Sequence, residues 1–257
     1  MGVDKLLQLA GRLPGVSSTL RWWARQYADG SVVRIRCGLA AGYRWKRYHR
    51  YVNGYWIGHY ELAIQETLRR ELAPGDRFYD VGANAGFFTL VAARLVGATG
   101  SCVAFDPAPE NVESINEQIQ LNALTHCTVH QQAVGGEPGR ASFSFGQRGS
   151  AVGHLGATRA GETSVDAVVT TLDEAAERYG PPRFIKMDIE GAEVDAMRGA
   201  QRVLRDVRPT WLIELHGPEC ERDVMRVLRE HGYQLMDIHC NPVIGNDTPP
   251  KHVLAKA

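Results

Sequence analysis

The sequence predicts an α/β protein built around a doubly wound parallel β-sheet with helices on both faces. Two observations favour this fold class. From residue 77 onward, short apolar runs typical of buried strands alternate with amphipathic runs typical of helices. The chain has 257 residues, 44% of them hydrophobic, which is enough to bury one large core and a small appendage. We therefore expect one main domain that carries an extension.

Four strand–helix units follow one another in the main domain. The strand-like runs are "RFYDVG", "SCVAFD", "RFIKMD" and "TWLIELH". We expect the helices that follow them over about 86–96, 109–121, 192–204 and 219–231. A connection rich in Gly, Ser and Thr, residues 146–164, interrupts this pattern. Because long connections in compact domains are often functional, we expect it to form part of the active-site rim.

Residues 1–60 differ in composition from the rest of the chain. They hold four of the five tryptophans and six of the nine tyrosines. We predict an N-terminal extension of helices and a short hairpin over 1–60, which caps a main domain over 61–257. The aromatic rings either attach this extension to the core or form a stacking wall for a substrate ring, and the sequence leaves both interpretations open.

Charge is unevenly distributed, although the whole chain is formally neutral. Residues 1–73 carry a net charge of +7, from 12 Lys or Arg against 5 Asp or Glu, and the remainder carries −7. This indicates a solvated basic face that packs near the acidic domain. An anionic substrate, a membrane surface and nucleic acid are the alternatives.

The cysteines and the N-terminus exclude several classes of protein. The five cysteines are widely spaced and form no C-x-x-C pair, so neither a disulfide framework nor a zinc site is indicated. The N-terminal apolar residues are interrupted by Asp4, Lys5 and Arg12, which is unlike a signal peptide. No apolar run reaches membrane-spanning length. We expect a cytoplasmic protein without membrane insertion.

The stretch "FYDVGANAGFFTL" places a glycine turn after the first strand of the main domain. In doubly wound folds, ligands bind at this position, where strand ends meet helix N-termini. A dinucleotide-binding turn has the pattern G-x-G-x-x-G. Counted from Gly82, Asn84 and Phe87 replace the second and third glycines, so a pyrophosphate would be poorly bound.

The polar residues around this turn fit a different nucleoside ligand. Asp106 ends the next strand, where a carboxylate accepts hydrogen bonds from both ribose hydroxyls. Asp80 is placed to hold an ammonium group, directly or through water. Gly82 and Gly86 let the backbone approach, and the helix start near Gly86 favours a carboxylate. A ribose, an amine and a carboxylate without phosphate describe S-adenosylmethionine.

Five separated motifs extend this interpretation: "YDVGANAGFFT", "AFDPAPEN", "QQAVGG", "FIKMDIEGAE" and "LIELHG". In this order, they resemble the FkbM family of S-adenosylmethionine-dependent methyltransferases over roughly residues 56–240. Asp106 departs from the family pattern, in which glutamate is more frequent. The resemblance implies a mostly parallel, seven-stranded, Rossmann-like sheet whose last strand is antiparallel, with candidates at 233–238 and 252–255. It also implies O-methylation of sugars, lipids or natural products.

The resemblance, together with the turn, gives a set of expected cofactor residues. "QQAVG" is expected near the adenine, although an ordinary core strand is an equal alternative, and Asn111 either touches the ribose or caps a helix. The expected cofactor residues are Asp80, Gly82, Ala83, Asn84, Gly86, Asp106, Asn111, Ala133, Val134 and Asp188.

The remaining two motifs supply the expected catalytic residues. Asp188 follows a buried strand, and Glu214 and His216 project to one face at the end of the next. Glu190 and Glu193 flank the following helix start, where they could simply compensate the helix dipole. We predict His216 as the first choice of general base, because an unperturbed histidine titrates near neutral pH, and Asp188 as the second.

A divalent cation held by Asp188, Glu190 and Glu214 is the alternative way to acidify a hydroxyl, but we expect metal-independent catalysis. The acceptor is expected to be a hydroxylated small molecule, most simply a sugar or a glycosylated product. The expected acceptor residues are Tyr55, Trp56, Tyr60, His154 and Glu190. The sequence allows a homodimer but does not fix the oligomeric state.

Two rival functions come from other classes. N-methylation of nucleic acid would suit the basic aromatic extension, but such enzymes commonly carry N/D-P-P-Y/F after the fourth strand, where this chain has "DIEG". We therefore expect no nucleic-acid partner. A non-catalytic module that binds the cofactor and presents its extension to a partner is the second rival.

Overall fold

A seven-stranded β-sheet organises the computed structural model, which describes residues 28–51, 54–145, 153–155, 163–244 and 249–257. The strands, in chain order, are Val32–Arg34 (β1), Arg44–Lys46 (β2), Arg77–Val81 (β3), Ser101–Phe105 (β4), Cys127–His130 (β5), Gln132–Val134 (β6), Gly139–Phe145 (β7), Gly153–Leu155 (β8), Thr163–Thr170 (β9), Phe184–Met187 (β10), Thr210–Glu214 (β11), Gln234–Met236 (β12) and His252–Lys256 (β13). The helices are Leu62–Glu71 (α1), Phe87–Val96 (α2), Pro109–Leu121 (α3), Leu172–Tyr179 (α4), Glu193–Arg198 (α5) and Pro218–Glu230 (α6).

The main sheet has the strand order β12-β13-β11-β10-β3-β4-β5. The five strands from β11 to β5 are parallel, and β13 runs antiparallel to both β11 and β12. The predicted fold class, a mostly parallel seven-stranded sheet whose last strand is antiparallel, is therefore confirmed. Among the described helices, none combines the length and apolar composition needed to cross a bilayer.

Side chains along the central strands point alternately to the two faces of the sheet and form two hydrophobic layers. Phe78 and Phe184 point to the face covered by α1 and α2, whereas Tyr79 and Ile185 point to the face covered by α4, α5 and α6. Successive residues of a strand face opposite sides, so each central strand supplies both layers. Helices on both faces bury the sheet and leave its carboxyl edge open for a ligand.

The predicted helices agree with the structure except at one position. The helix predicted over 192–204 ends at Arg198, and a π-helical turn, Val203–Val207, follows. Between them, Gly199 packs so closely on Thr171 and Gly135 that a side chain there would overlap both. No element was predicted over α4, which begins with a reciprocal capping box between Thr171 and Glu174.

A second sheet with the order β6-β9-β7-β8 lies beside the main one and was not predicted. Its long antiparallel pair joins Gly139–Phe145 to Thr163–Thr170. The expectation of a continuous loop over 146–164 is wrong in two places, because 153–155 forms an edge strand and β9 begins at Thr163. The other residues of that stretch lie outside the described ranges.

The described part of the predicted extension contains an antiparallel hairpin, β1–β2, and a 3₁₀ turn, Gly54–Trp56. The rings of Trp45 and Tyr55 lie 6.2 and 5.4 Å from the ring of Phe87 on α2. The aromatic residues of this segment therefore attach it to the main hydrophobic core. Residues 1–27, with two of the tryptophans, lie outside the described residues, and the domain division at residue 60 stays a prediction.

Candidate active site

A cavity of about 310 Å³ opens at the carboxyl ends of the parallel strands. Its wall comes from the turns after β3, β4 and β10, from the end of β11, and from β6 and β7 of the second sheet. The predicted site residues that line it are Tyr55, Tyr60, Gly82, Ala83, Asn84, Asp106, Ala133, Val134, Asp188, Glu190 and Glu214. The volume is at the lower end of the range of small-molecule sites.

Gly82 is required by close packing inside the first turn. Its φ is +77°, and a Cβ at this position would overlap the carbonyl oxygen of Asp188. The amide of Gly82 donates to the carbonyl of Phe105 (3.0 Å). The turn therefore joins the ends of β3, β4 and β10, and only glycine meets the conformational and steric demands together.

Gly86 has a packing role that the sequence did not predict. It is the residue before α2, with φ +84°, and a Cβ there would lie 3.0 Å from Cγ1 of Ile115 on α3. Gly86 does not line the cavity. Gly86 thus allows α2 and α3 to pack closely. Its position does not support the predicted contact between Gly86 and a ligand.

Asp106 is held by three internal donors at the edge of the cavity. Its carboxylate accepts hydrogen bonds from the amides of Asn84 (2.8 Å) and Ala108 (3.0 Å) and from Nδ2 of Asn111 (3.0 Å). Burial raises the pKa of Asp106 to about 7, against the opposing effect of these hydrogen bonds. The side chain is 4% exposed, so its orientation is fixed before any ligand binds.

Asn111 does not cap α3, whose cap residue is Ala108, so the helix-capping interpretation is corrected, and because Asn111 does not line the cavity, its ribose contact is not supported. Its Oδ1 accepts a hydrogen bond from the hydroxyl of Tyr51 (2.6 Å), and its Nδ2 donates to Asp106. This amide therefore connects the N-terminal segment to the carboxylate that faces the cavity.

Asp80 lies behind the cavity wall. It is fully buried, accepts a hydrogen bond from the hydroxyl of Thr89 (2.6 Å), and has Oδ1 3.7 Å from Nζ of Lys186 on the adjacent strand. Burial raises the pKa of Asp80 against the opposing charge of Lys186. The predicted contact between Asp80 and a cofactor amine is not supported, because the side chain does not reach the cavity.

Lys186 lines the cavity and links Asp80 to Asp188. Its Nζ lies 3.6 Å from Oδ2 of Asp188 and 5.3 Å from the ring centroid of Phe88. Burial lowers the pKa of this lysine, but the carboxylates around it, first that of Asp188, raise it by more. The ammonium group therefore stays charged and restrains the carboxylate of Asp188.

His216 lies among four carboxylates from three elements. Its Nδ1 lies 2.8 Å from Oε1 of the fully buried Glu193. Its Nε2 lies 3.5, 3.6 and 3.8 Å from carboxylate oxygens of Glu190, Glu214 and Asp188. Hydrogen bonds to Glu193 and Glu214 raise the pKa of His216 to about 10. The raised pKa favours an imidazolium at neutral pH and the ring does not line the cavity, so the structure does not support the predicted general-base role.

The carboxylate of Glu214 already has two hydrogen-bonded partners. It accepts from Nε2 of His252 (2.9 Å) and from Nζ of Lys251 (2.7 Å). Burial raises the pKa of Glu214, but these hydrogen bonds, with that of His216, outweigh it and lower the pKa well below its usual range. Such a carboxylate is a weak proton acceptor, so its expected catalytic role is one of positioning.

Two groups of side chains in the described chain have ligand atoms close enough to share a cation: Asp188, Glu214 and His216, and Glu61, Glu214 and His252. The predicted set with Glu190 is not among them. Lys251 already occupies an oxygen of Glu214, and Lys186 lies beside Asp188, so ammonium groups compete with a metal for both sets.

The aromatic candidates separate into two groups. Tyr55 and Tyr60 line the cavity, with ring centroids 4.6 Å apart. Trp56 does not line the cavity, and the guanidinium of Arg47 lies 4.7 Å above its ring. His154 lies in the edge strand opposite Ser144, and its side chain lies outside the described part of the structure.

Sequence reasoning missed Glu61, which lines the cavity directly before α1. Its φ of 40° is in the left-handed region, which non-glycine residues rarely adopt. A glutamate before an amphipathic run gives no functional signal in the sequence. Lys251, which also lines the cavity, was missed as well, because a single lysine in a connecting segment gives no functional signal in the sequence.

Comparison with known proteins identifies the family. The sequence pattern of the methyltransferase FkbM domain matches residues 80–235, which is more than half of the chain. The chain belongs to the FkbM methyltransferase family. The matched residues contain the turns after β3, β4 and β10 that line the cavity, and the FkbM domain is of the S-adenosylmethionine-dependent methyltransferase class.

The FkbM domain is similar to hexuronic acid methyltransferase AglP of Haloferax volcanii, with 24% identity over 170 residues, 66% of this chain and 68% of AglP. The structure is similar to methyltransferase FkbM from Methylobacillus flagellatus KT (TM-score 0.49, 20% identity), and the match covers 76% of this chain and 51% of that one. The chain thus spans about half the length of that solved structure. Fibrillarin of Aeropyrum pernix, solved with bound S-adenosyl-L-methionine, matches with TM-score 0.43 and 13% identity, over 72% of this chain and 67% of its own.

Proposed function

We propose that the FkbM domain transfers the methyl group of S-adenosylmethionine to a hydroxyl group of a sugar or a glycosylated small molecule. The observation that carries this proposal is a single cavity with two chemically different ends. One end has the glycine turn and Asp106, and the other has a cluster of carboxylates around Asp188 and Glu214.

The nucleoside fits the first end. Asp106 has a fixed carboxylate, and its three internal donors leave one of its roughly four acceptor sites, on Oδ2, for a ribose hydroxyl. Ala133 and Val134 supply an apolar wall suited to adenine, and the Gly82 turn lets the backbone approach the ligand. The absence of a G-x-G-x-x-G pattern disfavours a pyrophosphate.

The acceptor fits the second end. Tyr60, which is only partly buried, offers an aromatic surface for the apolar face of a sugar, and Glu190 and Asp188 offer acceptors for hydroxyl groups. The name of AglP, a hexuronic acid methyltransferase, favours a carbohydrate among hydroxylated acceptors. Lys251 at the same end could receive an acidic substituent.

Methyl transfer needs alignment and removal of one proton. The acceptor oxygen must lie behind the methyl carbon in line with the breaking C–S bond, and such alignment contributes several kcal/mol. A positioned base contributes about a further hundredfold or more. Because His216 already holds its proton, we propose that it keeps the carboxylates of Asp188, Glu190 and Glu214 in place, and that a carboxylate at the cavity accepts the proton.

Two measurements test the proposed function. Calorimetry with S-adenosylhomocysteine is expected to show binding, and transfer of a labelled methyl group is then measured with methyl α-D-glucopyranoside, D-glucuronic acid, D-glucosamine and an RNA transcript. We expect label in a sugar ether and none in RNA. Label in RNA, or cofactor binding without transfer to any of these acceptors, would contradict the proposal and favour one of the two rival functions.

A further inference from the structure

We propose that Glu61 is the general base that removes the proton from the acceptor hydroxyl, an inference that rests on the proposed O-methyl transfer. In this step, a carboxylate oxygen of Glu61 takes the hydroxyl proton while the acceptor oxygen forms a bond to the methyl carbon. The C–S bond breaks, and its electron pair goes to sulfur. The products are the methyl ether, S-adenosylhomocysteine and a protonated Glu61, which releases its proton to solvent.

The side chain of Glu61 does not serve the helix that follows it, although the backbone carbonyl of Glu61 accepts from the amides of Ile64 (2.9 Å) and Gln65 (3.1 Å). Glu61 is the residue before α1, but its side chain makes no capping hydrogen bond to the helix. Its backbone has φ 40° and ψ 61°, a conformation that costs a non-glycine residue free energy of order 1–3 kcal/mol. The side chain lines the cavity instead. A strained residue whose side chain lines a cavity is typical of a functional site.

Glu61 differs from the other cavity carboxylates in its partners. Asp106 accepts three hydrogen bonds, Asp188 lies within 4 Å of Lys186 and His216, and Glu190 lies 3.5 Å from His216. Glu214 is bonded to Lys251 and His252. Within the ranges that the structure describes, the carboxylate of Glu61 has no hydrogen-bond donor and no cation at ion-pair distance.

The surroundings of Glu61 make it a stronger proton acceptor than a glutamate in water. Burial raises its pKa, and the carboxylates of Glu214 on β11 and Asp188 after β10 raise it further. Lys186 on β10 and His252 on β13 act in the opposite direction, and the net shift is upward. General-base efficiency is greatest when the pKa of the base approaches the working pH.

Glu61 also reaches the acceptor end of the cavity. The side-chain ligand atoms of Glu61, Glu214 and His252 all lie within 4.8 Å of one another. The ligand atoms of Asp188, Glu214 and His216 also lie within 4.8 Å of one another. Tyr60, the preceding residue, lines the same side. A hydroxyl seated among Tyr60, Asp188 and Glu214 therefore has the unpartnered carboxylate of Glu61 beside it.

The test compares Glu61→Gln with Glu190→Gln and Glu66→Gln, using whichever sugar of the panel the wild-type protein methylates fastest. Glutamine keeps the size of the side chain but cannot take the proton. We expect Glu61→Gln to lower kcat by about 100-fold or more, with S-adenosylhomocysteine affinity and acceptor KM changed by no more than about threefold. Glu61→Asp, which keeps a carboxylate on a shorter stem, should recover part of kcat.

Glu66→Gln is the matched control, since Glu66 lies on α1, is exposed and pairs only with Arg69 among the described residues. Its kcat should equal that of the wild type. The inference is overturned if Glu61→Gln keeps kcat within a few-fold, if Glu190→Gln loses more, or if Glu61→Gln loses cofactor affinity in proportion, since that would make Glu61 a cofactor anchor.

A second readout separates this inference from the proposed function. Carboxyl titration by NMR in protein labelled with ¹³C-glutamate should show a resonance that titrates above the ordinary glutamate range and disappears in Glu61→Gln. A Glu61 resonance in the ordinary range contradicts the inference, whichever acceptor is used. Wild-type protein that binds cofactor but methylates no hydroxyl contradicts the proposed function itself, whatever the titration shows.

Discussion

Nζ of Lys186 lies 3.7 Å from Oδ1 of Asp80, its register partner on the adjacent parallel strand, and both side chains are almost completely buried. The same ammonium group lies 3.6 Å from Asp188 at the cavity. A fully buried charge thus sets the position of a carboxylate at the candidate site. Removing one partner of such a pair leaves the other as an uncompensated buried charge.

We expect Lys186→Met to lower the free energy of unfolding by about 3–5 kcal/mol, because Asp80 would keep its burial and lose its counter-charge. The measurement is urea unfolding at pH 7. In the double variant Asp80→Asn with Lys186→Met, most of this loss should be recovered, since neither charge is then buried alone. Equal destabilisation in the single and double variants would show that packing, and not charge, dominates.

Asp106 should make cofactor binding dependent on pH. Its pKa is raised to about 7 in the free protein, and ribose hydroxyls hydrogen-bond best to the charged form. We expect S-adenosylhomocysteine affinity to fall as the pH decreases below about 7, with proton release on binding near pH 6. Calorimetry in buffers of different ionisation enthalpy measures this release, and a pH-independent affinity would contradict the assignment.

The same group has an opposite effect on the stability of the free protein. Because burial raises the pKa of Asp106 above its unfolded value, its contribution to stability is present at low pH and is lost as the pH rises through about 7. Asp106→Asn should remove this part of the pH dependence in urea unfolding. It should also weaken S-adenosylhomocysteine binding about 10- to 100-fold, as expected for lost charge-assisted hydrogen bonds.

His216 should make the free energy of unfolding decrease as the pH becomes alkaline. Its pKa is raised from 6.5 to about 10, so its stabilising charge is fully present below pH 6.5 and is lost between pH 6.5 and about 10. We expect His216→Gln to be less stable than wild type at pH 6.5 and to lack that decline. His239→Gln, at an exposed histidine, should retain it. A His216 ring that titrates near pH 6.5 by NMR would contradict this account and restore its candidacy as a base.

Gly82→Ala should damage both folding and cofactor binding. The substitution forces a Cβ into the carbonyl of Asp188 and requires φ +77° of an alanine. We expect a loss of more than about 1–2 kcal/mol of unfolding free energy, which is the conformational cost alone. Gly139→Ala is the matched control, since a Cβ there meets nothing within 4 Å. Thermal unfolding of the two variants, with and without S-adenosylhomocysteine, measures the difference.

The parts of the fold that follow local rules could be predicted from the sequence. The helix over Pro109–Leu121 was located to the residue, because an N-terminal proline and an amphipathic pattern define it locally. The second sheet was not predicted, because β7 and β9 pair across a long connection and their alternating patterns are short. The helix α4 was missed although its capping-box residues, Thr171 and Glu174, are visible in the sequence.

The candidate site, like the fold, could be predicted from the sequence only in part. Gly82, Asp106 and Asp188 were found because turn geometry and strand ends place them at the carboxyl edge of the sheet. The ordinary pKa of histidine led to the general-base prediction for His216, whereas carboxylates from three separate elements surround the ring in the structure and raise its pKa. Glu61 enters the cavity from a segment before the main sheet, and only the tertiary structure brings it there.

The most direct test of the central claim is the identity of the atom that receives the methyl group. Wild-type protein is incubated with S-adenosylmethionine that carries a ¹³C-labelled methyl group and with the sugar panel, and the product is examined by NMR. The account predicts a ¹³C methyl-ether signal attached to a sugar oxygen, which forms at least about 100-fold more slowly with Glu61→Gln. An N-methyl signal, or cofactor binding with no labelled product, would contradict it.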